Sequence, residues 1–244
     1  SHVGRGTHYY DKESMRHFEV KTKSVTKWMI QEYDYVKIPE DELGEFYSGD
    51  SYILRWEYQL NCTGRELNGN PSKHNLTGRD RCAYFCWQGK DATANEKGAA
   101  ALLTVELDQE KGPQIRVTQG FEPPAFLNLF KGSFIIHQGK KGIEKTRYRL
   151  YMCRGNVINE SHLIQVTCSM RQLRSRTSML LIDTEKGQIY VWHGAKSLKH
   201  TKSICLEIAN SMVAKNNPYI FSSEDINVKV TEINEGDEPK SVID

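Results

Sequence analysis

The residues able to do chemistry are few and badly spaced for catalysis. Cys82 and Cys86 stand four apart in a run, Cys82-Ala83-Tyr84-Phe85-Cys86-Trp87, that reads as a strand, so both thiols face one side. A zinc site needs a second pair of Cys or His at matching distance, and none follows. No His falls in a metalloprotease pattern, and neither a Gly-x-Ser-x-Gly elbow nor a phosphate-binding loop occurs. With no nucleophile beside a visible base, the chain reads as a non-enzyme. Two basic runs remain, Lys140, Lys141, Lys145 and Arg147, then Arg171, Arg174 and Arg176. They suit acidic phospholipid head groups or an acidic protein surface, and equally a solvated face.

The composition must support whatever positions these groups. The 244 residues carry 33 Lys+Arg against 31 Asp+Glu, a net charge of +2, with 38% hydrophobic residues. That is a globular composition with no field to drive nucleic-acid binding, and no apolar run reaches the length of a transmembrane segment. The six scattered cysteines suit reduced thiols in a cytoplasmic protein better than a disulfide scaffold. The first residues, Ser1–Thr7, lack the charged and apolar pattern of a signal peptide.

Residues 1–24 are polar and without period, so they are expected to be a lead-in, with structure starting near Val25. Trp28–Ile38 predicts a strand with an irregularity. Gly49-Asp50 turns into a clearer strand, Ser51–Leu60, in which Tyr52, Leu54, Trp56 and Tyr58 alternate. A polar insert, 61–81, precedes the apolar strand ending at Trp87 and is expected to be a loop. Ala94–Glu110 is a helix, Ile115–Thr118 a strand, Phe126–Phe130 a short helix after Pro123-Pro124, and Phe134–His137 another strand. Strands at Tyr148–Cys153, His162–Cys168, Ser178–Ile182 and Gln188–His193 then lead to an amphipathic helix, His200–Lys215.

The order repeats itself. Tyr84-Phe85-Cys86-Trp87-Gln88-Gly89 is echoed by Ile189-Tyr190-Val191-Trp192-His193-Gly194, and Ser51-Tyr52-Ile53-Leu54 by Ser178-Met179-Leu180-Leu181. Two copies of one unit follow, 25–143 (with the insert) and 144–244. The expected class is α+β, an α/β-like sandwich: a central mixed sheet of about five strands in each copy between one long and one short helix.

Four segments, IPEDELGEFYSGDSYIL (Ile38–Leu54), YFCWQG (Tyr84–Gly89), NEKGAAALLTVELD (Asn95–Asp108) and VTQGFEPPAFLNLF (Val117–Phe130), occur in the order and spacing of a gelsolin-homology repeat. The chain thus resembles the gelsolin/villin family, as a fourth-plus-fifth repeat pair, with RLYMCRG and IYVWHG carrying the second copy. The resemblance implies an actin-associated cytoskeletal and membrane-peripheral protein at the cell cortex, with actin or other cytoskeletal and signalling proteins as partners. It also implies one Ca2+ in the first copy, held by Gly49, Asp50, Glu96 and the Ile143 carbonyl, an oxygen set that suits the ion. Without metal, Asp50 would shape its turn and Glu96 would suit the helix start. In the second copy Arg176-Thr177 and Thr201 replace the turn and the Glu, which implies no Ca2+ there. The family's actin contacts map to Leu102, Val105 and Asp108. The two apolar residues lie off the core stripe of Ala99, Ala100, Leu103 and Leu107, and would meet a partner or a neighbouring repeat. A calcium-regulated actin-binding or severing module and a structural spacer are the alternative readings.

Overall fold

The computed structural model describes residues 2–64, 70, 72, 76–109, 112–143, 146–223 and 225–243. The chain divides into two compact units. The first comprises Ser1–Leu43, Tyr47–Phe130 and Gly139–Lys141; the second comprises Gly44–Phe46, Lys131–Gln138 and Gly142–Asp244.

In chain order the strands are β1 (His8–Asp11), β2 (Arg16–Gln31), β3 (Asp34–Lys37), β4 (Glu45–Tyr47), β5 (Ser51–Thr63) and β6 (Asp80–Gln88). Helix α1 (Ala94–Leu107), β7 (Gln114–Thr118), α2 (Pro124–Leu127) and β8 (Phe134–His137) follow. The rest is β9 (Tyr148–Arg154), β10 (His162–Val166), β11 (Ser178–Asp183), β12 (Gln188–His193), α3 (Lys199–Lys215), β13 (Lys229–Asn234) and α4 (Lys240–Ile243).

The first sheet runs β1-β2-β5-β6-β7, with β3 also paired to β2. Among the described residues β6 and β7 pair in parallel and the other neighbours in this sheet are antiparallel. Alternation along the strands splits the core. Ile53, Tyr84 and Cys86 face Ala100 and Leu103 of α1. On the other face Phe85 meets Phe126 of α2 edge-on, with ring centroids 5.4 Å apart, and stacks on Trp56. Residues 83–87 of β6 are buried on both faces, which is why this part of the strand reads as a continuous apolar run. The second sheet runs β13-β12-β11-β9-β10-β8-β4. Tyr151, Leu180, Ile182, Ile189 and Val191 pack on Ile204, Cys205, Ile208 and Met212 of α3. Leu150, Met179, Trp192 and Ile233 form the opposite layer, with Val242 of α4 against it.

The expected mixed sheets between a long and a short helix are present, with six and seven strands among the described residues instead of about five. Three details correct the sequence reading. The polar stretch before Val25 is not an unstructured lead-in: β1 pairs with the first four residues of β2, and β2 pairs on to Asn61, Cys62 and Thr63 of β5. Its side chains lie at a sheet end with both faces partly exposed, so no apolar period is required of them. Trp28–Ile38 is a hairpin, not one irregular strand. Gln31 pairs with Asp34 across a two-residue turn in which Glu32 takes a φ of 50°. The insert is shorter than expected, since β5 runs to Thr63 and β6 starts at Asp80, and residues 65–69, 71 and 73–75 lie outside the described residues.

The internal repeat extends to single hydrogen bonds. Trp87 Nε1 donates to Glu122 Oε1 at 3.0 Å, and Trp192 Nε1 to Glu238 Oε1 at 2.7 Å. Each carboxylate also accepts from a glycine N–H, Gly120 or Gly236, at a φ of 92° or 97° that a side chain would strain. Gly89 N donates to Asp50 O as Gly194 N does to Thr177 O, and Asp91 N to Ser48 O as Lys196 N does to Ser175 O. Asp50 and Thr177 are therefore equivalent positions.

Candidate cation site and its counterpart in the second repeat

The turn before β5 is drawn against a distant segment of the same unit. Gly49 N donates to Gly139 O at 2.8 Å, and Gly139 N to Ser48 Oγ at 3.0 Å. A Cβ at position 49 would lie 2.8 Å from Lys140 Cγ and 3.0 Å from the Gly139 carbonyl, so this close approach requires glycine. It brings Lys141 N within 2.8 Å of Asp50 Oδ2. Asp50 is buried, and burial pushes its carboxyl up; the Lys141 N–H and the Lys140 charge oppose that rise, while Glu96 adds to it.

Helix α1 presents Glu96 from its first turn. Thr93 caps the helix by accepting from Glu96 N, and Glu96 Oε2 accepts from Thr93 N at 2.9 Å, a reciprocal capping box. This leaves Oε1 to point outward, where Lys140 Nζ meets it at 2.5 Å. Burial pushes Glu96 up, but the Lys140 and Thr93 hydrogen bonds together hold it below the usual glutamate value. The Glu96 hydrogen bond raises Lys140, against the effect of burial, and Asp50 contributes through space. Two carboxylates thus act on one cation, and in this structure that cation is an ammonium. Hard, all-oxygen donors also fit Ca2+. Of the four expected metal residues, Gly49, Asp50 and Glu96 are gathered here. Ile143 belongs to the other compact unit, with its side chain 59% exposed.

At the equivalent place in the second repeat the chemistry is reversed. Thr177 and Thr201 stand where Asp50 and Glu96 do, and both line a cavity of about 530 Å³ together with Arg154, Arg174 and Arg176. Its charge suits an anion.

The expected partner residues separate. Leu102 and Val105 are 75% and 63% exposed on α1, opposite the buried Ala100, Leu103 and Thr104. Asp108 caps the helix end, and its carboxylate is taken by its own loop, with Oδ1 accepting from Gly112 N at 2.8 Å and Oδ2 from Gln114 Nε2 at 3.2 Å. Of the basic residues, Lys145 lies outside the described residues.

One constellation escaped the sequence reading because its members are far apart in the chain. Ser178 Oγ lies 3.0 Å from His193 Nδ1, and His193 Nε2 lies 3.0 Å from Glu232 Oε2. The order imitates a hydrolase triad, but Ser178 is fully buried and its hydroxyl also meets Ser197 Oγ at 3.1 Å. With its hydroxyl buried and shared among these partners, Ser178 is a member of a buried polar network.

Residues 36–127 match the gelsolin repeat family. Supervillin of Bos taurus is 38% identical over 97% of this chain. The chain belongs to the gelsolin/villin family. Other relatives in it are villidin of Dictyostelium discoideum, 31% identical over 80% of the chain, and cytoplasmic gelsolin of Homarus americanus, 32% over 68%. The chain spans only 11% of supervillin, 11% of villidin and 22% of the Homarus gelsolin. Among the described residues no helix is long and apolar enough to cross a membrane.

Proposed function

We propose that this gelsolin-repeat pair is a non-catalytic interaction module of an actin- and membrane-associated cytoskeletal protein at the cytoplasmic cell cortex. The observation that carries the reading is the outer face of α1. Leu102 and Val105 lie one turn apart on the exposed side of a helix anchored by Ala100 and Leu103, and this apolar pair supports a protein partner, actin or another cytoskeletal or signalling protein. Gly49, Asp50 and Glu96 are the proposed Ca2+ ligands of the first repeat, and the second repeat, with Thr177 and Thr201 at the matching positions, is proposed to bind none. The arginine-lined cavity of the second repeat supports an acidic phospholipid head group as an additional ligand.

Cosedimentation of the full chain with filamentous actin, with Ca2+ and with chelator, tests the reading. The expected result is binding that falls at least about tenfold in Leu102→Asp/Val105→Asp. Retention of binding by that variant would remove the α1 face from the proposal, and tight binding only with Ca2+ would favour a calcium-regulated actin-binding or severing module. No specific partner in any condition would favour a spacer.

A further inference from the structure

We propose that Lys140 is the built-in cation of the first-repeat site, occupying with its ammonium the position for which Ca2+ must compete. The inference rests on the reading of Asp50 and Glu96 as a cation site. Three observations carry it. Lys140 Nζ bonds Glu96 Oε1, the carboxylate oxygen that the capping box leaves available. The Lys140 backbone is not free to drift, because Gly139 O accepts from Gly49 N and Lys141 N donates to Asp50 Oδ2, which clamps the lysine between two bonded neighbours. Gly49, lacking a side chain, lets Lys140 Cγ pass over the turn, so the same glycine that could offer a carbonyl to a metal also admits the ammonium that opposes it.

A divalent ion cannot share this space with the ammonium: like charges a few ångströms apart repel strongly even at the effective dielectric of a protein surface. Calcium therefore enters only after the lysine swings out, and with its side chain 46% exposed Lys140 has room to do so. The consequence is a repeat whose cation-dependent clamp between turn and helix is closed in the absence of calcium, and whose response is set by a competing side chain.

The test uses the full chain, with folding of each variant checked by circular dichroism. Calcium is titrated calorimetrically into metal-free wild type, Lys140→Gln, Lys140→Ala, Lys140→Arg and Lys140→Gln/Glu96→Gln, and melting temperatures are compared with and without calcium. The expected result is calcium binding at least about tenfold tighter in Lys140→Gln and Lys140→Ala than in wild type. It should bring a rise in Tm at calcium concentrations too low to shift wild type or Lys140→Arg, and Glu96→Gln should abolish that rise. Equal affinity in wild type and both neutral variants would overturn the role of Lys140 while leaving the cation site standing. No binding in any variant would overturn both, and magnesium in place of calcium serves as the control for unspecific divalent binding.

Discussion

Arg147 and Asp183 illustrate how a single pair can set the acid tolerance of the second unit. Arg147 Nε and Nη2 fork onto the two carboxylate oxygens of Asp183 at 3.1 and 2.9 Å, and the N–H groups of Glu185 and Lys186 add to one of them. Burial pushes Asp183 up, but the fork and the two N–H groups outweigh it and hold the carboxyl below the free value of 3.8. A carboxyl depressed in the folded state stabilises it fully above the unfolded value, and that contribution is lost as pH falls through the folded value. Thermal melts from neutral pH down past 3.8 should show Arg147→Met below wild type at neutral pH, with the two curves converging in acid. A gap that persists in acid would mean that Arg147 acts by packing alone. The residues of the cation site were legible in the sequence only in part. Gly49, Asp50 and Glu96 sit in dense motifs, whereas Lys140 sits in a basic run some distance away and gains its meaning only when the Gly49 turn is bonded to Gly139. Ser178 and His193 sit in separate repeat motifs and Glu232 outside both, and nothing local in the sequence joins the three.

At the scale of elements, the two long helices start from the same backbone geometry with different chemistry. Thr93 and Leu198 both hold an extended conformation, with φ of −68° and −73°, but only Thr93 accepts a hydrogen bond from the helix. Thr93→Ala should cost about 1 kcal/mol, whereas Leu198→Asp, at a side chain 62% exposed, should gain about 0.5–1 kcal/mol by supplying the missing acceptor. Chemical denaturation of the full chain measures both, and a loss at position 198 would show that the leucine packs where the cap would stand. Elements with two buried faces or a long periodic stripe, such as β6, β12, α1 and α3, were plain in the sequence because burial writes a pattern. β1, β4 and β13 were not, since they are short or lie at a sheet end or edge, where pairing comes from backbone groups that any sequence supplies.

For the molecule as a whole, the units do not follow the chain as the sequence repeat would divide it. β8 is parallel to β10, with all four of its residues buried, and β4 lies beyond it at the edge of the same sheet. A fragment 144–244 would therefore expose β10 as an open edge, while 131–244 keeps β8. The shorter fragment should be the less soluble and melt lower, measured by light scattering and thermal melts; equal behaviour would show that β10 tolerates being an edge.

The same arrangement carries a temporal consequence. Glu45 meets His137 Nε2, His137 Nδ1 lies 2.9 Å from Tyr151 Oη, and Asn217 Nδ2 donates to Glu45 Oε1 at 2.7 Å, a bond closed between residues 172 apart. During synthesis the Glu45 carboxylate leaves the ribosome long before Asn217 is made, so the second sheet cannot be completed as its own strands emerge. β4 and β8 can pair with each other early, but they wait for β10 before the rest of the sheet is there to join, and the sheet is complete only once β13 has emerged. Such long-range pairing folds slowly and invites chaperone capture of the nascent chain.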